Sequence, residues 1–252
     1  MKMPAMFVGH GSPMNVIEDN EYTRKWSEVA NSIPRPKGII CISAHWYTNG
    51  KYTNDKSHPK QIYDMYGFPE ELYAFKYPVE GSKSLAKEIK RAIDGVKIDN
   101  SWGIDHGTWA VLCKMYPKAD IPVVQLSVDG SVSVNEHFEI AKKLYKFRKE
   151  GYLILGSGNV VHNLRLINPE IDGYDWAYEF DRYIKESILS RDFSKVIDYK
   201  SAGASHEKSF KTLEHFLPLI YALGVVDKED SIEVFNEGCM MGSLSMTSYI
   251  FR

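Results

Sequence analysis

The feature that most constrains the fold is a series of short apolar runs that stop abruptly in Gly, Ser or His, separated by longer stretches in which apolar residues recur at helical spacing. Runs of this length bounded by turn residues read as buried strands. Four are Ala5 to Val8, ending in Gly9-His10-Gly11-Ser12-Pro13; Gly38 to Ile42, ending in Ser43-Ala44-His45-Trp46; Pro122 to Leu126, ending in Ser127; and Tyr152 to Leu155, ending in Gly156-Ser157-Gly158-Asn159. Ser231 to Phe235 and Leu244 to Phe251 read as two more, the last alternating in a way that suits an edge or antiparallel strand. The spacing predicts helices over Glu21 to Ser32, Ser82 to Ile93, Val134 to Lys149, Tyr174 to Ser190 and Leu213 to Leu223. This alternation predicts an α/β fold, a single domain over residues 1–252 with a central, mostly parallel or mixed sheet flanked by helices.

A chain of 252 residues buries roughly 75% of its unfolded surface, so its core needs neither disulfides nor a structural metal cluster. With 31 Lys and Arg against 33 Asp and Glu, it presents no bulk charge to nucleic acid phosphates or an anionic membrane, and neither partner is expected. Cys41, Cys113 and Cys239 lie far apart with no CxxC pair, which argues against a disulfide framework or thiolate zinc site and suits a reducing cytoplasm. The N-terminal stretch has one positive charge and a brief apolar run, so it does not read as a signal peptide. No segment approaches the ~18 consecutive apolar residues of a membrane helix.

Tyr47 to Pro78 differs from the rest: it is rich in Tyr, Lys, Asp, Pro and Gly, contains Asp64-Met65-Tyr66-Gly67-Phe68-Pro69, and shows no sustained period. A segment of this length inside a compact domain reads as a functional excursion over the sheet edge, of the kind that forms a lid; the alternative is a plain surface loop.

Open α/β sheets place their sites beyond the carboxyl ends of strands, and five histidines fall at predicted element ends. His10 and His45 follow strands, and His162 lies beyond the Gly-Ser-Gly-Asn turn at an apparent helix start. His106 sits in Trp102-Gly103-Ile104-Asp105-His106-Gly107-Thr108-Trp109, and His215 opens an apolar helix. They are expected to converge on one rim. His58 and His137 read as solvated surface residues, and His206 is undecided. Neutral imidazole is the commonest metal-binding side chain and suits iron, zinc and copper. Three protein donors leave positions open for substrate and for O₂ or water. The pattern admits Fe(II) binding a chelating substrate beside O₂, or Zn(II) polarising a carbonyl or activating water, and spacing leaves both open. Gly156-Ser157-Gly158 is too short for a dinucleotide fingerprint, and neither a GxxxxGK[ST] loop nor a GxSxG elbow occurs.

Six motifs in order carry a resemblance. They are Gly9-His10-Gly11-Ser12-Pro13, Ser43-Ala44-His45-Trp46, Asp105-His106-Gly107-Thr108-Trp109, Gly156-Ser157-Gly158-Asn159-Val160-Val161-His162-Asn163-Leu164, Glu214-His215-Phe216-Leu217-Pro218-Leu219 and Gly242-Ser243-Leu244-Ser245-Met246. Over residues 9–246 the chain resembles the class III extradiol ring-cleavage dioxygenases, specifically their 4,5-DOPA dioxygenase-like branch. The resemblance implies a single α/β domain in which His10, His45 and His215 bind the metal. It implies that His162 is a fourth ligand in a zinc-loaded form or an acid/base group facing the substrate, and that His106 lines the pocket and hydrogen-bonds substrate or oxygen. It implies Fe(II) for ring cleavage, with Zn(II) a common occupant of the same position. Many enzymes of this class complete the metal triad with a carboxylate, where His215 stands here.

The implied activity is extradiol dioxygenation: a small aromatic diol, a catechol of the 4,5-DOPA type, and O₂ combine with opening of the ring. His162 would accept a catechol proton and return one, and His106 would stabilise charge developing on oxygen. Trp46, Trp102 and Trp109 are expected to pack against a flat ring or to serve the core. Two rivals are a zinc-dependent hydrolase built on the same histidines and a non-catalytic metal-binding protein.

Overall fold

The computed structural model describes residues 2–252. Its strands are β1 (Ala5–Gly9), β2 (Gly38–Thr48), β3 (Tyr52–Thr53), β4 (Lys97–Ile98), β5 (Val123–Asp129), β6 (Tyr152–Gly158), β7 (Ile232–Phe235), β8 (Cys239–Met240), β9 (Leu244–Ser245) and β10 (Ser248–Phe251). Its helices are α1 (Glu21–Ser32), α2 (Glu70–Ala74), α3 (Lys83–Ala92), α4 (His106–Met115), α5 (Val134–Lys142), α6 (Tyr145–Glu150), α7 (Asp175–Leu189), α8 (Phe193–Ile197), α9 (Ser205–Ser209) and α10 (Leu217–Gly224). This is the expected α/β architecture. Among the described residues no helix is long and apolar enough to cross a membrane.

One sheet of eight strands runs in the order β4-β3-β5-β2-β6-β1-β10-β7. Its centre, β5-β2-β6-β1, is parallel, while β10 runs antiparallel to both β1 and β7. Central strands covered on both faces are apolar throughout, and β1, β5 and nearly all of β6 are buried. The pairings Gly9 with Gly158 and Ser43 with Ser157 finish β1, β6 and the regular part of β2 side by side. Whatever follows those residues therefore shares one rim.

Two cores sandwich the sheet. On one face Trp26 and Val29 of α1 pack with Trp109, Val111 and Leu112 of α4. On the other, Leu85 and Ile89 of α3, Phe147 of α6, Phe180 of α7 and Leu219 of α10 pack together. Trp26 and Trp109 are almost fully buried, and truncating either to Ala would cost ~3–5 kcal/mol.

Several expected elements differ. β2 continues past Ile42 to Thr48, with a register shift against β5 between Ile42 and Tyr47. His45 thus lies within the strand, on an irregular stretch that re-aims its side chain. Helix α4 was not expected, because its residues are buried nearly all round and leave no polar stripe to mark a period. The predicted helix 134–149 divides into α5 and α6, since the amides of Lys143 and Leu144 bond only three residues back, to Ile140 and Ala141. Helix α10 begins at Leu217, with Pro218 in its first turn, so His215 precedes it. His162 does not open a helix either; it bridges to Phe210 and Leu244.

The predicted strand 244–251 is also broken. Ser245 N bonds Val161 O and Met246 N bonds Gly238 O, which pairs β9 with β8 and leaves only β10 in the main sheet, inside rather than at its edge. His137 is a further correction: it is fully buried on α5, its Nδ1 3.1 Å from the Tyr221 hydroxyl of α10. His58 is exposed as expected, and His206 is half-buried beside Gly203 O.

Candidate active site

The rim at the carboxyl ends of β1, β2 and β6 gathers His10, His45, His106, His162 and His215. The ring centres of His10, His45 and His215 form a nearly equilateral triangle, with separations of 5.1, 5.0 and 5.3 Å. His106 lies 3.8 Å from His45. His162 stacks on His215, 3.4 Å between centres and 6° between planes. Grouped by ligand-atom distance, His10, His45 and His106 lie within 4.8 Å of one another, as do His162, Glu214 and His215.

Hydrogen bonding sets the tautomers. The Ser157 hydroxyl donates to Gly107 O, so toward His10 Nδ1, 3.0 Å away, it accepts. His10 therefore carries its proton on Nδ1 and presents a bare Nε2. His45 Nδ1 lies 2.9 Å from an Asp64 carboxylate oxygen, and His215 Nδ1 lies 3.3 Å from Glu214 Oε1. Glu214 accepts, so His215 also bears Nδ1–H and presents Nε2, and the Asp64 carboxylate beside His45 Nδ1 favours a proton on that nitrogen too. Each of the three imidazoles thus has its outer nitrogen engaged and its inner one free, the arrangement of metal-ligating histidine.

Two of the inner nitrogens have the spacing of a shared ion. His215 Nε2 is buried without a hydrogen-bond partner, and His10 Nε2 and His45 Nε2 lie 3.3 Å apart. Two nitrogens each ~2.1 Å from one ion, at roughly a tetrahedral angle, are ~3.4 Å from each other. An ion between the two nitrogens, or a proton carried by one of them, satisfies this contact. Burial, then the neighbouring imidazoles, hold His10 and His215 well below the usual histidine range, so both rest as neutral donors. Burial also opposes charge on His45, but the adjacent Asp64 carboxylate outweighs it and pushes that ring upward.

Close backbone approaches allow the cluster. A Cβ on Gly107 would come within 2.6 Å of Ser43 Oγ and 2.9 Å of the His45 ring; one on Gly158 would meet His215 O at 2.1 Å. Only glycine lets β6 and α4 pack so tightly against these histidines. His106 is the first residue of α4. Asp105 caps that helix by accepting from Thr108 N, and is itself held by Ser43 Oγ at 2.6 Å, Gln125 and Trp102 Nε1. Burial, then His45, lower the pKa of His106. His162 is fixed by its amide, which donates to Ser209 O at 2.7 Å. Burial together with His45 and His106 pushes its pKa to about 3, so the ring is a neutral proton acceptor.

The cluster floors a half-open cavity of about 410 Å³, within the range of small-molecule sites. Met65, Tyr66, Phe68, Leu164, Ile167 and Met241 form its apolar walls. The excursion 47–78 borders the site, contributing Asp64, Met65, Tyr66 and Phe68. The tryptophans do not line it: Trp46 stacks on Trp102, and Trp109 donates to Ile62 O and packs against Tyr63 and Phe75.

Sequence reasoning missed Asp64, Glu214 and Ser157 as partners of the histidines. Glu214 and Ser157 stood inside recognised motifs. Asp64 stood in the aperiodic stretch, whose only signal was its length.

Residues 4–252 match the family described as the catalytic LigB subunit of aromatic ring-opening dioxygenase. The chain is 43% identical to "4,5-DOPA dioxygenase extradiol" of Escherichia coli (strain K12) over 98% of its own length and 94% of that protein. It is 35% identical to the protein of the same name from Beta vulgaris, over 97% and 95%. The crystal structure of an uncharacterized Escherichia coli K12 protein superposes with a TM-score of 0.87 at 41% identity, covering 100% of both chains.

Proposed function

Because the chain belongs to the family of the catalytic LigB subunit of aromatic ring-opening dioxygenases, we propose that it is an extradiol dioxygenase for a catechol of the 4,5-DOPA type, with Fe(II) held by His10, His45 and His215. The net reaction joins one catechol and one O₂, breaks the ring bond beside the diol, and retains both oxygen atoms in the product. The observation that carries this reading is the triangle of the His10, His45 and His215 ring centres, 5.1, 5.3 and 5.0 Å on its sides and each ring with its outer nitrogen against a polar partner, at the floor of an apolar-walled cavity. Zn(II) would compete for the same position, since neutral imidazole suits both ions. Three free, buried cysteines favour a reducing cytoplasm as the setting.

When bound, the metal ion acidifies the diol and brings it together with O₂. The chain's own residues do the rest. His162, neutral and stacked beside His215, takes a proton from the diol and, with a pKa held low by burial, returns one readily to the opened product. His106 faces the same space and hydrogen-bonds the oxygen on which charge develops. Met65, Phe68 and Leu164 confine the flat ring and keep water from the reacting face.

The test is anaerobic loading with Fe(II), addition of a catechol panel that includes DOPA, and admission of O₂. One O₂ consumed per yellow ring-opened product supports the reading. Turnover of an ester or amide panel without O₂ use would favour a zinc hydrolase, and tight metal binding without turnover would favour a non-catalytic metal protein.

A further inference from the structure

An imidazole that ligates a metal does so as the neutral ring, so a three-imidazole set offsets none of the charge of a divalent ion. One carboxylate stands directly behind them. Asp64 Oδ2 lies 2.9 Å from His45 Nδ1, and Asp64 Oδ1 lies 3.0 Å from His106 Nδ1. Oδ1 also accepts the backbone N–H of His106 at 3.0 Å, at the first turn of a ten-residue helix, where the helix dipole favours an anion. Its side chain is only 14% exposed, so water screens this charge poorly.

Asp64 reaches this position from the excursion 47–78. Two bonds seat the preceding residues: Ile62 N donates to Ile104 O at 2.8 Å, and Trp109 Nε1 donates to Ile62 O at 2.9 Å. Asp64 is therefore set in place by backbone anchors that do not depend on its charge. A surface loop carries a buried carboxylate to two site imidazoles, although burial without a partner is costly.

We propose that Asp64 is a positioning residue that supplies, through His45, the negative charge the three-imidazole set lacks, and so sets the affinity of the site for a divalent metal. This rests on the reading of His10, His45 and His215 as the ligands. A carboxylate accepting from the outer nitrogen raises the basicity of the inner one and fixes the ring plane. Through the backbone N–H of His106 the same carboxylate also holds the first turn of α4.

The experiment measures Zn(II) affinity of the full chain by competition with a chromophoric chelator, together with limited proteolysis of residues 47–78. Asp64→Asn keeps the shape and can still accept from His106 N, but loses the charge. Its affinity is expected to fall 10- to 100-fold with an unchanged cleavage pattern, and Asp64→Glu is expected to recover part of the loss. Tyr63→Phe, which removes the bond from Tyr63 Oη to Phe75 O, loosens the loop without touching the charge and is expected to bind Zn(II) like the parent. The proposal is overturned if Asp64→Asn binds as tightly as the parent, or if Tyr63→Phe weakens binding equally. If the parent itself takes up no metal, the ligand reading fails instead.

Discussion

The imidazole of His162 lies flat against that of His215, 3.4 Å between ring centres, yet the two differ in their bonding. His215 has its outer nitrogen against Glu214 and its inner nitrogen unpartnered, whereas His162 is anchored through its backbone. The pairing suits one ring that holds a metal and one that moves a proton beside it. His162→Ala is expected to retain metal, measured by elemental analysis, while kcat falls roughly 10²- to 10⁴-fold. Loss of metal with loss of turnover would instead make His162 a ligand.

The ligand assignment has its own check. His45→Ala and His215→Ala each remove one corner of the triangle of rings, and two imidazoles hold a divalent ion far less tightly than three. Metal content after purification without chelators is expected to drop to background in both variants. Parent-like content in the His45 variant would mean that the ion, if any, sits elsewhere.

Far from the site, Arg148 on α6 is buried and fully used. Its guanidinium pairs with buried Asp230 at 2.6 and 3.0 Å and donates to the carbonyls of Met3, Val225 and Phe251, tying both chain ends to the end of α10. Arg148→Ala leaves the buried Asp230 carboxylate with Lys2 at 2.6 Å and the backbone N–H of Asp227 at 2.7 Å, and is expected to cost ~3–5 kcal/mol in urea unfolding. The Arg35–Asp120 pair is equally short but about half-exposed. Arg35→Ala is expected to leave the unfolding midpoint where it was. Equal shifts in the two variants would contradict this account.

These residues also show what the sequence made legible. The rim was readable because parallel strands end together, so His10 and the Gly156–Asn159 turn had to be neighbours whatever the loops did. His106 was placed by its Asp-His-Gly setting, although α4 itself was invisible, being apolar all round. His45 was found for a slightly wrong reason, since it sits on a bulged strand rather than beyond one. Asp64 is the informative failure. It contacts His45 across 19 positions of chain and His106 across 42, and nothing local distinguishes it from other acids in an aperiodic stretch. His137 failed in the opposite direction: Glu136 and Glu139 beside it suggested water, but only its own side of α5 faces Tyr221. Contacts fixed by long-range packing leave no periodic trace.

His137 leads to a test of pH dependence. Burial is the main cause that pushes its pKa to about 4, with the Asp129 and Glu136 carboxylates partly opposing. The unfolded chain takes up this proton near pH 6.5, the folded one only near 4. Above pH 6.5 the ring is neutral in both states and its stability contribution is complete. As pH falls from 6.5 to 4 the unfolded state binds the proton first, so stability falls, by about 2 kcal/mol at pH 5 and about 3 kcal/mol once below 4. Other buried histidines titrate in the same window, so the comparison must be with a variant. His137→Gln keeps a polar group near Tyr221 but cannot titrate. Urea unfolding at pH 7.5 and pH 5 is expected to show the parent losing about 2 kcal/mol more than the variant on acidification. If the difference between the two proteins is the same at both pH values, the folded-state pKa of His137 is not depressed.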